Sequence, residues 1–137
     1  MYKIGDIAQL AHVSKRTVDY YTQLGLIEAK RSESNHRYYT EDTVNDIQLI
    51  TKYKEQHLTL DEIKQKMNFK RSIRDETIFD SIETLINHME KLDEDFLKLQ
   101  ALKKQLNDSQ MKYLNEKVAK NGRSLLKSWE RLLETMT

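Results

Sequence analysis

The chain has 137 residues, of which 38% are hydrophobic and 33% charged, with a formal net charge of +1, which suits one small domain with an extension. It has no cysteine, which excludes disulfides, thiolate metal sites and a cysteine nucleophile, and its small net charge means that any nucleic-acid site must be a local basic patch. With no proline and only three glycines, little interrupts helices, so we expect a mainly α protein.

The first two predicted elements are short helices joined by a tight turn. Apolar residues between Ile4 and Ala11 fit an amphipathic helix. Ser14 is a good N-cap for a second helix with Val18 on its apolar side, and Gly25 favours its C-terminal end. Two short helices in this arrangement are typical of a helix-turn-helix.

The next segment changes character from helical to extended. From Ile27 to Tyr39 the residue types favour a small β-hairpin or wing, with a turn at 32–35. Thr40 is expected to begin a third helix. Thr59, with a glutamate three residues later, forms a capping box for a fourth helix.

A long periodic segment follows, from about residue 75 to residue 120. Its apolar positions alternate by four and three, which is typical of a heptad seam packed against another helix. Nothing in the sequence predicts an end before residues 121–122, an Asn-Gly pair that favours a C-cap. A helix of roughly 65–70 Å could not bury its stripe within this chain, so we expect an intermolecular coiled coil and a dimer in preference to a hairpin. The expected interface residues are Ile78, Ile82, Leu85, Met89, Leu92, Phe96, Leu99 and Leu106.

The chain is therefore expected to have three parts. These are a winged helix-turn-helix domain at 1–72, a coiled-coil helix at 73–121 and a short C-terminal amphipathic helix at 122–137 that docks on the partner or on the winged helix-turn-helix of its own chain. Tyr113 and Trp129 would line an aromatic crevice for a small organic effector, or would simply be core residues of a short helix.

The second helix and the wing hold the candidate DNA contacts. Residues 15–17 lie in the first turn, away from the apolar side, and Tyr20 could donate to a phosphate. Arg37 and Tyr39 are two apart on one strand, so we expect both to face the sugar-phosphate backbone. The alternatives are a solvated helix start and a Tyr39 packed on the adjacent helix. The full candidate set is Ser14, Lys15, Arg16, Thr17, Asp19, Tyr20, His36, Arg37 and Tyr39.

Five linked segments resemble, in order and spacing, the winged-helix DNA-binding domain of MerR-type transcription regulators. They are YKIGDIA at 2–8, VSKRTVDYY at 13–21, LGLI at 24–27, RYY at 37–39 and LTLDEI at 58–63. The resemblance implies a homodimer, joined by an antiparallel coiled coil, on an inverted-repeat promoter operator in double-stranded DNA. It further implies that the dimer distorts the spacer DNA so that RNA polymerase can use both promoter hexamers. Arg16, Thr17 and Tyr20 take the recognition-helix role, and Arg37 and Tyr39 the backbone clamp.

The chain departs from that family pattern at three places, one of which is Ala29 in place of the usual proline after the Gly-Leu-Ile turn. Asp19 stands where the family usually has a basic residue. We therefore expect its carboxylate to accept from a cytosine amine, to pair with Lys15 or Arg16, or to face away from the DNA. In the wing, Asn35 and His36 replace the usual Gly-Tyr, and His36 retains the ability to donate to a phosphate.

Two functions are compared from these patterns. The first is a MerR-type regulator that responds to a ligand or stress; the second is an effector-independent architectural DNA-binding protein or simple repressor. An enzyme is disfavoured, because no catalytic constellation stands out, and the histidines lack paired metal-ligand spacing. No cofactor and no membrane partner are expected, and the absence of a spanning run or secretory segment favours a cytoplasmic protein.

Overall fold

The computed structural model describes residues 1–136 and contains six α-helices and one two-stranded sheet among them. The elements are α1 Ile4–Leu10, α2 Lys15–Gln23, β1 Lys30–Arg31, β2 Arg37–Tyr38, α3 Glu41–Glu55, α4 Leu60–Ser72, α5 Glu76–Leu102 and α6 Asp108–Met136. The prediction of a mainly α fold with a winged helix-turn-helix and a long helix is confirmed. The chain forms two compact units, Met1–Ile82 and the part from Glu83 onward. None of the helices within residues 1–136 has the length and apolar composition that crossing a membrane requires.

The first unit is built around a single hydrophobic core. Each of α1 to α4 contributes apolar side chains, and Leu26, Ile27 and Tyr39, which flank the two wing strands, complete the core. The fully buried residues include Ile7, Val18, Leu26, Ile27, Tyr39, Ile47, Ile50, Ile63 and Met67. Because these side chains come from all four helices, the core fixes the position of α2 in this unit.

Local capping sets where these helices begin, as the sequence predicts. The Ser14 hydroxyl accepts from the Thr17 backbone N–H at 3.0 Å at the start of α2. At the start of α4, the Thr59 hydroxyl accepts from the Glu62 N–H at 3.2 Å, and the Glu62 carboxylate accepts from the Thr59 N–H at 2.9 Å. After α2 the chain passes through Gly25 with φ of 75°, a left-handed conformation that favours glycine.

The wing is a short antiparallel pair in which Lys30 lies opposite Tyr38 and Arg31 opposite Arg37. Its turn passes through Asn35 with φ of 64°, and the Asn35 N–H donates to the Ser32 carbonyl at 2.8 Å. Asparagine tolerates the left-handed region better than most residues, which explains how it stands where the resemblance has glycine. The hairpin prediction is therefore confirmed, with strands shorter than expected.

The long helix is shorter than the sequence analysis predicted. The prediction of one continuous helix from residue 75 to 120 is wrong. Helix α5 ends at Leu102, a 3₁₀ turn covers Lys103–Gln105, and Leu106 is extended. A reciprocal cap then starts α6: the Gln110 N–H donates to Asn107 Oδ1 at 2.8 Å, and the Asn107 N–H donates to Gln110 Oε1 at 2.9 Å. This Asn-x-x-Gln signal is present in the sequence, and the heptad pattern masked it.

The predicted C-cap at residues 121–122 is also wrong. Helix α6 runs without interruption from Asp108 to Met136, so the expected short C-terminal helix is the second half of a 29-residue helix. A glycine in a helix interior costs about 1 kcal/mol relative to alanine, which weakens a helix without forcing it to stop.

Candidate nucleic-acid interface

The exposed surface of α2 begins with two basic side chains. Lys15 and Arg16 are exposed, as is Tyr20 at 45%, whereas Val18 and Tyr21 on the opposite side are buried in the core. The periodicity of the helix thus separates a basic, hydroxylated side from an apolar side, as the sequence indicates. This places Lys15, Arg16 and Tyr20 where a ligand outside the unit could reach them.

The two hydroxyl residues at the start of α2 are bonded to each other. Ser14 Oγ and Thr17 Oγ1 are 2.9 Å apart, in addition to the backbone cap at Ser14. Lys15 extends over α1, because a Cβ built at Gly5 would lie 3.0 Å from Lys15 Cε. The DNA contacts predicted for these residues stay predictions, while their capping and packing roles are directly visible.

Asp19 pairs with a different partner from those the sequence suggested. Its Oδ1 accepts from Arg37 Nη1 at 3.1 Å, and its Oδ2 accepts from Gln23 Nε2 at 2.9 Å. Neither Lys15 nor Arg16 is the partner. The ion pair joins α2 to the wing across 18 residues of sequence, and both side chains are a little over two-fifths exposed.

The prediction that Tyr39 contacts the DNA backbone is wrong, because its side chain is buried. Tyr39 has no exposed surface, lies one residue beyond β2 and forms a bridge with Tyr2 instead of continuing the wing. Thr22 Oγ1 donates to the Val18 carbonyl at 2.8 Å, so its contact of 2.9 Å with the Tyr39 hydroxyl must have tyrosine as the donor. Tyr39 therefore holds the wing base onto α2. Arg37 reaches the same helix through Asp19, but its side chain stays exposed.

The wing turn is stabilised by its own side chains. His36 is exposed, its Nδ1 lies 3.1 Å from Ser34 Oγ, and its backbone N–H donates to Ser32 Oγ at 3.1 Å. Arg31 Nη1 donates to the Asn35 carbonyl at 3.1 Å. The turn is thus an ordered projection beside α2, with His36 at its surface, and a phosphate contact by His36 stays a prediction.

Seven of the eight predicted seam residues lie on α5, and none of these seven is fully buried. Ile78, Leu85, Met89 and Phe96 are exposed, whereas Leu106 lies outside any helix and cannot continue the seam. Ile82, Leu92 and Leu99 are half-buried. The sequence analysis missed Phe79, which is buried and packs its ring 6.2 Å from that of Phe69 in α4. Phe79 falls outside the four-three alternation, so only its aromatic type pointed to it.

The predicted effector crevice does not form within α6. Tyr113 and Trp129 lie on the same continuous helix and are 65% and 46% exposed. At 1.5 Å of rise per residue they are about 24 Å apart along the axis, so they cannot line one small-molecule site in a single chain. Within residues 1–136 there is no group of three His, Cys, Asp or Glu side chains arranged to hold a metal ion.

The N-terminal half of the chain is similar in sequence to known proteins. Residues 2–70 match the family described as MerR HTH family regulatory protein. Over 66 residues the chain is 48% identical to the HTH-type transcriptional regulator CueR of Bacillus subtilis (strain 168). The matched segment covers 48% of this chain and 46% of that relative. Over 63 residues it is 40% identical to the mercuric resistance operon regulatory protein of Bacillus cereus, covering 45% of this chain and 48% of the relative. The chain thus spans about half the length of the curated relatives it matches.

One solved structure supports the fold. It is described as HiNmlR, a MerR family regulator lacking the sensor domain, bound to promoter DNA. The TM-score is 0.51 at 22% sequence identity, covering 73% of this chain and 76% of that chain. At this identity the likeness concerns the fold alone.

Proposed function

The chain belongs to the family of MerR HTH regulatory proteins, and from that premise we propose that it is a sequence-specific DNA-binding regulator of transcription. The observation that carries the proposal is the exposed basic start of α2 beside an ordered wing, within the segment that matches the family. Its proposed target is promoter DNA in the cytoplasm, with RNA polymerase affected indirectly.

The proposed DNA contacts divide between α2 and the wing. Arg16 and Tyr20 are on the exposed side of α2, so this helix would enter the major groove, where arginine can bind guanine through two hydrogen bonds. Arg37 and His36 on the wing would contact the backbone, which fixes orientation but carries no sequence information. Tyr39 is left out of this set because it is buried.

The proposed active form is a homodimer joined through the exposed apolar side of α5. Leu85, Met89 and Phe96 each keep more than a third of their surface exposed in the single chain, and a second copy would cover them. Such a dimer presents two copies of α2 and therefore suits an inverted-repeat operator. Distortion of the operator spacer is the proposed means of control, at a cost on the order of several kcal/mol that contacts from both copies must offset.

Footprinting on random genomic fragments, followed by affinity measurements on the selected site, tests the proposal. We expect protection of a palindrome within a promoter spacer, and Arg16→Ala should weaken operator binding by about 1–3 kcal/mol with much less effect on random duplex. Lys112→Ala, which removes the same charge from exposed α6, is the matched control and should change neither. Equal protection of all sequences by the wild-type protein would overturn the proposal.

An effector-independent architectural protein is the alternative. Similarity to a named transcriptional regulator supports regulation over simple packaging of DNA. In vitro transcription from the selected promoter separates the two, because a regulator changes transcript yield on that promoter and leaves unrelated promoters unaffected. Equal effects on both promoters would favour the architectural role.

A further inference from the structure

Asp19 is an acid on the helix surface proposed to face DNA, where a negative charge is unfavourable. Both of its carboxylate oxygens are occupied, Oδ1 by Arg37 Nη1 at 3.1 Å and Oδ2 by Gln23 Nε2 at 2.9 Å. Gln23 lies one turn further along α2, and Arg37 lies in β2 of the wing. The carboxylate is therefore held from its own helix and bonded across to the wing.

We propose that Asp19 is a positioning residue that fixes the wing arginine Arg37 relative to α2, and that it does not contact a base. This inference rests on the proposed DNA-binding function. A guanidinium has five N–H donors in a rigid plane, and the bond to Asp19 occupies one of them. The remaining donors are available to a phosphate, and an arginine already held on one side loses less rotamer freedom when it binds.

The pair also explains how an acid is tolerated at this surface. The guanidinium of Arg37 offsets the charge of Asp19, so the neighbouring Lys15 and Arg16 remain the dominant charges at the start of α2. Both partners are a little over two-fifths exposed, and ion pairs of that exposure contribute little to folding stability. A backbone contact by Arg37 fixes the register in which α2 reaches the bases, and that register matters only on the operator. Loss of the pair is therefore expected to lower operator affinity more than random-duplex affinity, with little change in unfolding.

A comparison of Asp19→Ala with Glu33→Ala isolates this role. Both changes remove one acid from the exposed surface of the winged unit, but Glu33 lies in the wing turn, outside the ion pair. Both variants should bind random duplex more tightly, because each removes one negative charge near phosphate. Asp19→Ala should also lower the ratio of operator affinity to random-duplex affinity by about two- to fivefold, whereas Glu33→Ala should leave that ratio unchanged.

The double variant tests whether the effect acts through Arg37. Arg37→Ala should reduce operator affinity in the wild-type background. It should reduce operator affinity less in the Asp19→Ala background, because an Arg37 that Asp19 does not hold contributes less to binding. Equal losses in the two backgrounds, or equal ratios for Asp19→Ala and Glu33→Ala, would overturn the positioning role while leaving DNA binding intact. A wild-type protein without any site preference would instead overturn the proposed function and this inference with it.

Folding controls accompany these measurements. Circular dichroism should give nearly unchanged unfolding midpoints for the substitutions at positions 19 and 33, because the ion pair at Asp19 is solvent-accessible and Glu33 is exposed. Asp19→Asn serves as a second variant, since it keeps the size and a hydrogen-bond acceptor and removes only the charge. It should lower the affinity ratio less than Asp19→Ala does, and a larger drop than that of Asp19→Ala would contradict the positioning role.

Discussion

Replacement of Tyr39 by phenylalanine distinguishes a core tyrosine from a DNA-binding one. The hydroxyl has no exposed surface and donates to Thr22 Oγ1 at 2.9 Å. Its removal leaves the Thr22 hydroxyl still bonded to the Val18 carbonyl, so no donor becomes unsatisfied. The expected cost is therefore that of one ordinary hydrogen bond, about 1 kcal/mol.

That cost should be visible as a change in the melting temperature. For a unit of the size of Met1–Ile82, 1 kcal/mol corresponds to about 4–8 °C. Truncation of Tyr39 to alanine also removes the buried ring and should cost about 3–5 kcal/mol. A unit of this size has a total stability of about 4–12 kcal/mol, so this variant should lose from about a quarter to all of that stability, and its melting temperature should fall further than that of Tyr39→Phe.

Thermal unfolding by circular dichroism, together with operator affinity measured at 10 °C, gives the two readouts. Tyr39→Phe should lower the melting temperature and leave the affinity of the folded protein unchanged. The matched control is Tyr20→Phe, an exposed tyrosine of α2, which should leave stability within about 0.5 kcal/mol and weaken operator binding. A Tyr39→Phe protein with wild-type stability and reduced affinity would refute the assignment of Tyr39 to the core.

Three further predictions concern the two long helices. Gly122→Ala should raise the melting temperature of α6 by removing about 1 kcal/mol of helix penalty, since a Cβ there meets nothing within 4 Å; a lower melting temperature would show that position 122 is packed. Asn107→Ala should lower the free energy of unfolding in urea by about 1 kcal/mol, whereas Asn107→Ser, which keeps a capping oxygen, should retain most of the wild-type stability. Equal losses for the two variants would contradict the capping role of Asn107. Leu92→Glu should give monomers in sedimentation equilibrium, and a persistent dimer would exclude the α5 seam as the interface.

The starts of α2 and α4 were predictable because capping is a local interaction. Ser14 and Thr17, and likewise Thr59 and Glu62, are three residues apart, so the spacing that makes the hydrogen bonds is visible in the sequence. The cap at Asn107 is equally local, but the apolar periodicity runs past it, and that periodicity predicts one continuous helix. The wing turn followed from its residue types in the same way.

The sequence by itself therefore determined the helix-turn-helix, the wing and the basic start of α2, since propensity, caps and periodicity act over a few residues. Only the tertiary structure decided that Tyr39 belongs to the core and that Arg37 is the partner of Asp19. These contacts join residues 17 and 18 positions apart, Thr22 with Tyr39 and Asp19 with Arg37. Such pairs form only when the core has placed the wing against α2, because chain-distant side chains meet through packing and no local pattern specifies them.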